Sequence, residues 1–228
     1  MIKRLLCVAL ATLALAISSM AENKEDRKLN DSFSTIEVTK GVNVLLVQCD
    51  KLALEILTDG GPTSDVETIL NNGTLTVKMK RKTSCTAAQV TVYFKDLEHI
   101  IVKRGATLNT PCLFKRDGSL SVDVGAQSKV ELDIEVDELT VDGNTCNVDV
   151  TGKCNKQTVK LSGVVGSATY SAITFDSKVA DIKVISANAE VMFSDSLIAE
   201  AINGTIKYTG DPNQVQKTEK AKGEVIEY

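Results

Sequence analysis

The sequence predicts an all-β protein: a right-handed, parallel β-helix-like solenoid with short, irregular rungs, closed at one end by its N-terminal strands. Three observations support this fold. Through the C-terminal two thirds, short strands run into turns of small residues about every 20 residues. Apolar residues alternate with polar ones along those strands, and almost no segment has helical periodicity. Stacked rungs that bury one apolar face are typical of solenoids. An antiparallel β-sandwich built from hairpins is the alternative.

The first 21 residues have the organisation of a secretory signal peptide. Lys3 and Arg4 precede an apolar run, 5–17, and Ser19 and Ala21 satisfy the small-x-small rule, so we predict cleavage after Ala21. The apolar run is shorter than the roughly 20 residues that span a bilayer, and no later stretch approaches that length. We therefore expect an exported protein of the periplasm or cell surface, with no transmembrane segment in the mature chain.

The charge balance of the mature chain is acidic. Loss of Lys3 and Arg4 leaves 24 of the 26 Lys and Arg residues against 30 Asp and Glu residues, a formal charge near −6. Nucleic-acid phosphates need a basic face, so this balance argues against a nucleic-acid partner.

Five cysteines remain in the mature chain: Cys49, Cys85, Cys112, Cys146 and Cys154. None has the CxxC spacing of zinc or redox sites, so no metal site is predicted. Cys146 and Cys154 lie in neighbouring strand segments of one repeat and are the candidate disulfide pair in an oxidising compartment. The alternative is that the cysteines are small, buried hydrophobic residues.

The chain divides into a short tail and one domain. Residues 22–32 are polar and charged without periodicity, and we expect a flexible N-terminus there. A single domain, 33–228, follows, and 33–96 is predicted to form strands of ordinary length. One short helical turn is predicted within SDVETILNNG, with Ser64 or Asp65 as its cap.

Residues 97–228 carry the repeats. Between turns the strands alternate with period two, as in VELDIEVDELTVD, so one face is buried and the other is solvated. The closing segment KTEKAKGEVIEY is charged and is expected to cover the far end of the solenoid. The apolar residue after each turn marks the period: Leu108, Val130, Val148, Ala168, Val191, Ile206 and Val225.

Several segments carry a family resemblance. FSTIEVTKGVNVLLVQ, SDVETIL, NNGTLTVKMKRK and VTVYFKDLEHIIVKRGATL, followed by repeated small-residue turns, resemble the head GIN domain of putative autotransporter adhesins of bacteria. The resemblance covers Phe33 to the C-terminus. The family's turn usually reads SGAGD, and only fragments of it occur here: RGAT (104–107), VGAQ (124–127), SGVVGS (162–167) and NGT (203–205). The resemblance implies an exported β-helix-like adhesin or envelope-interaction protein whose ligand is undefined.

The sequence lacks the usual catalytic signatures, including GxSxG, HExxH and the Walker and dinucleotide motifs. Its single histidine, His99, lies in a strand segment without a nucleophile motif. We therefore predict a non-enzyme without catalytic residues or cofactors. One alternative is a polysaccharide-acting envelope enzyme, and another is a periplasmic structural or assembly factor. The enzyme, or a calcium site, would draw its carboxylates from Asp123, Asp133, Asp137, Asp142 and Asp149.

One basic cluster stands out in KMKRK: Lys78, Lys80, Arg81 and Lys82. It is a candidate contact with an anionic surface such as lipopolysaccharide phosphate. The alternative is that these side chains are solvated and discourage edge pairing. The chain has no Trp and four Tyr, which disfavours an aromatic sugar-binding platform. The predicted partner is an envelope protein or glycan.

Overall fold

In the part of the chain that the structure describes, alternating sequences form 19 strands that hydrogen-bond into one continuous sheet. The sheet is coiled into a β-solenoid of about 7 rungs, where a rung is one circuit of the chain. The computed structural model describes residues 22–125, 127–163 and 167–228. The predicted signal peptide, including Ala21, lies outside the described residues. Strand makes up 68% of the structure and helix 2%, which confirms the all-β prediction. Within the described ranges, no helix has the length and apolar character needed to cross a membrane.

The strands follow one another along the whole described chain, with 3₁₀ turns at Thr63–Asp65 and Pro212–Gln214. In chain order they are β1 Glu22–Lys28, β2 Thr35–Thr39, β3 Asn43–Gln48, β4 Ala53–Asp59, β5 Val66–Asn71, β6 Thr74–Met79, β7 Ala87–Phe94, β8 His99–Lys103, β9 Thr107–Asn109, β10 Phe114–Lys115, β11 Ser119–Gly125, β12 Lys129–Asn144, β13 Asn147–Ser162, β14 Thr169–Ile185, β15 Asn188–Met192, β16 Ser196–Ile202, β17 Thr205–Thr209, β18 Val215–Lys220 and β19 Glu224–Glu227.

Each rung contributes to two faces of parallel strands. Face A stacks β2, β8, β11, the second halves of β12, β13 and β14, then β16 and β18. Face B stacks β3, β9, the first halves of β12, β13 and β14, then β15, β17 and β19. The inward residues of both faces form one continuous apolar core. This parallel stacking is the predicted solenoid and not the antiparallel sandwich.

The observed register corrects two of the repeat markers. Val148 pairs with Tyr170, and Tyr170 pairs with Ala189, so the predicted markers Ala168 and Val191 are each two residues away from the true partner. Both markers still face the core, because side-chain direction in a strand has a period of two. The remaining markers occupy paired positions as predicted.

Within the described residues, a tight corner carries the chain from face A to face B in most rungs. It uses a residue in the left-handed conformation, as at Arg104 (φ 59°) and Asn203 (φ 56°). The next inward position is small and buried, for example Ala106, Cys146 and Ala187. Small side chains are needed there because successive rungs approach one another closely.

The N-terminal strands close one end of the solenoid, as predicted. Strands β6 and β7 form a capping rung on β2 and β3, and β5 and β4 pair antiparallel with that rung. The outermost strand is β1, which pairs with β4 along all seven of its residues.

Two expectations about this cap were wrong. The segment 22–32 is not a flexible tail, because it contains β1, whose Arg27 bonds to Glu25 and to the Val66 carbonyl. Its charges suit an exposed edge strand, so they are compatible with order. The predicted helical turn is reduced to Thr63–Asp65, and the following residues form β5. An Asn72–Gly73 hairpin, with positive φ at both residues, pairs β5 with β6.

The opposite end is closed by the charged C-terminal segment. Lys217 and Glu219 of β18 occupy inward positions, opposite Ala199 and Ala201. The Lys217 Nζ donates to the Val225 carbonyl (3.0 Å), and the Val225 N–H donates to Glu219 Oε1 (2.7 Å). These bonds link β18 to β19 across the end of the core.

Candidate functional site

An open cleft runs along the wide corner, where the chain passes from face B back to face A. Its volume is about 810 Å³, and it crosses several successive rungs. The charged residues that line it are balanced, with five basic and five acidic side chains: Lys95, Lys115, Arg116, Lys153, Lys178, Asp96, Asp117, Glu135, Asp137 and Asp176. We treat this cleft as the candidate binding site.

A ladder of alternating charge follows the axis of the cleft. The strand register places Lys115 beside Glu135, Glu135 beside Lys153, and Lys153 beside Asp176. The Glu135 carboxylate contacts the ammonium of Lys115 and that of Lys153, the latter at 3.1 Å. Hydrogen bonds from Lys115 and then Lys153 lower the pKa of Glu135. This carboxylate is therefore ionised at neutral pH.

Arg116 and Gln48 fix the rim of the cleft. The Arg116 side chain is only 11% exposed; it donates to the Leu97 carbonyl (2.7 Å) and forms an ion pair with Asp96 (3.7 Å). The Gln48 amide donates to the Lys115 carbonyl (2.7 Å) and accepts from the Lys115 N–H (3.0 Å). Side chains with several fixed partners lose less freedom when a ligand binds.

Asp137 serves as a brace between rungs. Its Oδ2 accepts from the Gly118 N–H (2.8 Å), and its Oδ1 accepts from the Asn155 Nδ2 (3.2 Å). Both oxygens accept hydrogen bonds from neighbouring rungs, so this carboxylate has a structural role.

A buried polar network lies in the core behind the cleft. The Tyr170 hydroxyl donates to Gln157 Oε1 (2.9 Å), Gln157 Nε2 donates to Ser177 Oγ (2.6 Å), and Ser177 Oγ donates to the Met192 carbonyl (2.8 Å). Sequence reasoning missed this network. The sequence does contain a signal for it. Gln157 lies two residues before the buried Val159 on the same strand, so its polar side chain must also point into the core.

The predicted disulfide does not form. Cys146 and Cys154 are both free and buried. Cys146 lies at the tight corner and Cys154 lines the cleft at the wide corner, so the width of face B separates them. At about 3.3 Å per strand residue this span exceeds the roughly 7 Å limit for bridged Cα atoms. Burial raises the pKa of Cys146 to about 11 and that of Cys154 to about 12, so both remain protonated thiols at neutral pH.

The paired charges of the cleft offer hydrogen-bond donors and acceptors along its length. A glycosidase-type acid needs a carboxyl group whose pKa is raised, whereas that of Glu135 is lowered. The described part of the chain contains no group of three His, Cys, Asp or Glu side chains that could hold a metal ion.

The five aspartates considered for catalysis or calcium do not converge. Asp123 and Asp142 are register neighbours on face A, and Asp133 and Asp149 lie on face B. Only Asp137 lines the cleft.

The predicted basic cluster lies at the tight corner of the cap, away from the cleft. Lys78 ends β6 on face A and pairs with Glu67 (3.2 Å). Lys80, Arg81 and Lys82 are exposed on the loop that follows β6.

Several solved structures are similar in fold to this chain. A putative adhesin from Bacteroides fragilis NCTC 9343 aligns with a TM-score of 0.79 at 16% identity, covering 92% of this chain and 98% of that chain. A putative adhesin from Parabacteroides merdae ATCC 43184 aligns at 0.76 and 21% identity, covering 91% and 96%. One from Parabacteroides distasonis ATCC 8503 aligns at 0.71 and 21% identity, covering 92% and 98%. At these identities the likeness shows the fold.

No protein of curated function matches the sequence. A family profile matches residues 32–212, more than half of the chain, and the chain therefore belongs to the family described as putative auto-transporter adhesin, head GIN domain.

Proposed function

We propose that the protein is an exported, non-enzymatic adhesin-type scaffold whose cleft binds a polar component of the cell envelope, a glycan or a protein segment. The observation that carries this proposal is the balanced, mutually paired set of charges along the cleft. Such a surface offers hydrogen-bond donors and acceptors to a ligand of little net charge, and its side chains are already positioned. The adhesin family supports the same role.

The stiffness of the solenoid suits this function. Each rung pairs with the rungs on either side, so the cleft is an extended groove on a continuous sheet. A long groove can contact several units of a polymer at once, and the summed contacts compensate for weak individual ones.

Binding by the cleft is tested with the mature protein, residues 22–228, on a panel of immobilised neutral and charged glycans and of envelope proteins. The variant Lys115→Ala/Lys153→Ala removes both partners of Glu135, and we expect roughly tenfold weaker binding to the captured ligand. The matched control, Lys156→Ala/Lys160→Ala, removes two exposed lysines from face A and should bind like the wild type. Equal binding by all three proteins excludes the cleft, and reproducible release of oligosaccharides from any glycan identifies an enzyme instead.

Export is tested by locating the native protein and measuring its mass. The proposal requires a chain that begins at Glu22 and is recovered from the periplasm or the cell surface. Protease treatment of intact cells distinguishes these two locations, because it removes a surface protein and spares a periplasmic one. Full-length protein confined to the cytoplasm contradicts the proposal.

A further inference from the structure

We propose that the protein has a second binding surface, a basic ridge that binds a linear anionic polysaccharide carrying recurring carboxylate, sulfate or phosphate groups. The ridge consists of Lys40, Lys80, Arg81, Lys82 and Arg104. It lies at the tight corner near the N-terminal cap, on the edge opposite the cleft.

The strand register assembles this ridge from three distant parts of the chain. Thr39 of β2 pairs with Lys78 of β6 on one side and with Lys103 of β8 on the other. The three strands are parallel, so they end at the same corner. The residues that follow them, including Lys40, the 80–82 loop and Arg104, therefore stack there. Neighbouring strands lie about 4.8 Å apart, so positive charge recurs along three rungs.

The cations of the ridge are free to meet a ligand. In the described part of the chain, the side chains of these five residues form no ion pair or hydrogen bond with the protein. The flanking lysines take up the nearby carboxylates, since Lys78 pairs with Glu67 (3.2 Å) and Lys103 with Glu37 (3.9 Å). The ridge is thus a local positive surface on a chain of negative net charge.

The loop that carries three of these cations is held in place at its base. Asp65 Oδ2 accepts from the Ser84 N–H (2.9 Å) and from the Thr83 hydroxyl (2.9 Å). These hydrogen bonds lower the pKa of Asp65, the bond from Ser84 most strongly. The carboxylate is therefore engaged with the loop and does not neutralise the ridge. A Cβ on Gly61 would lie 2.6 Å from the Cys85 backbone nitrogen, so the two segments are closely packed.

A polysaccharide fits the ridge better than a membrane does. Surfaces that bind anionic membranes combine cations with apolar or aromatic side chains that enter the lipid. The exposed large apolar residues of the described chain lie outside the segments 39–42, 78–86 and 102–106 that form the ridge. A row of cations without such residues matches a hydrated polymer whose charges recur along its length.

The test uses three probes: heparin, polygalacturonate, and vesicles of phosphatidylglycerol and phosphatidylcholine. We expect the mature protein to bind at least one of the polysaccharides and to lose affinity as salt is raised. The variant Lys80→Glu/Arg81→Glu/Lys82→Glu should bind roughly tenfold more weakly or not at all. Its matched control, Lys156→Glu/Lys160→Glu/Lys222→Glu, makes the same change in net charge at exposed positions outside the ridge and should retain most of the affinity.

A second variant tests the assembly of the ridge from separate strands. Lys40→Gln/Arg104→Gln leaves the loop intact and should also weaken polysaccharide binding, because both side chains line the same corner. The cleft variant Lys115→Ala/Lys153→Ala should bind these polysaccharides normally, so the two proposals can fail independently. The ridge proposal is overturned if neither polysaccharide binds, if ridge and control variants weaken equally, or if the vesicles bind and the polysaccharides do not.

Discussion

At the scale of single residues, the polar side chains in the core are explained by their partners. Gln157 and Ser177 are fully buried, where an unpaired amide or hydroxyl is costly. Both bond to each other, Gln157 also accepts from the Tyr170 hydroxyl, and Ser177 donates to the Met192 carbonyl. These bonds join three successive rungs. The network therefore adds directional hydrogen bonds between rungs to a core that is otherwise packed mainly through apolar contacts.

Replacing Gln157 by Leu should destabilise the protein by about 1–3 kcal/mol, because the Tyr170 hydroxyl would lose its acceptor inside the core. Urea denaturation followed by circular dichroism measures the change. The control Thr158→Val lies on the same strand with its side chain directed outward, and we expect it to stay within about 0.5 kcal/mol of the wild type. Adding Tyr170→Phe should restore part of the stability by removing the unpaired hydroxyl. A Gln157→Leu variant as stable as the control would show that the network contributes nothing.

At the scale of elements, the tight corners determine how closely the rungs stack. At the corner between β16 and β17, the residue after the turn lies against the preceding rung, so space for a side chain is limited. A Cβ on Gly204 would lie 2.1 Å from the Ala187 carbonyl oxygen, whereas one on Gly125 would meet only the Lys103 side chain, at 3.9 Å. The same crowding explains why a small residue, Cys146, occupies the equivalent position in its rung.

The substitution Gly204→Ala should lower stability by about 1–3 kcal/mol, since the backbone of the neighbouring rung must move to admit the methyl group. Thermal melts of the variant and the wild type, recorded side by side, provide the measurement. Gly125→Ala is the matched control, because it makes the same chemical change where there is room, and its effect should not exceed about 1 kcal/mol. Equal losses at both positions would indicate that backbone flexibility, and not crowding, is the cause.

At the scale of the whole molecule, the two ends of the solenoid carry different protection against stacking. Each end exposes a row of backbone groups that can pair with another chain. The cap end presents the charged strand β1, and the other end presents β18 with Lys217 and Glu219 directed inward. Inward charges on an edge strand oppose the addition of a further rung, because burying them there would be costly.

The double variant Lys217→Val/Glu219→Val should self-associate, because it extends the apolar core to an open edge. Light scattering coupled to size-exclusion chromatography would show dimers or larger species that increase with protein concentration. Gln216→Val/Thr218→Val is the control: it adds the same side chains to the outward positions of the same strand and should associate less. A double variant that stays at the wild-type mass would show that the inward charges do not prevent self-association at this end.

The sequence by itself determined the all-β class, the inward face of most strands and the approximate repeat, because the alternation of apolar and polar residues is a local pattern. A register error of two residues leaves the same side chains facing the core. It also located three of the ridge cations, Lys80, Arg81 and Lys82, together with the flanking Lys78, since these residues lie close together in the chain. Only the tertiary structure decided that β1 is ordered, that Cys146 and Cys154 lie at opposite corners, and that Lys40 and Arg104 join the 80–82 loop. Those features depend on which rung stacks on which. Because the rungs differ in length, the strands that pair are separated by different numbers of residues along the chain. A local sequence pattern does not encode that separation.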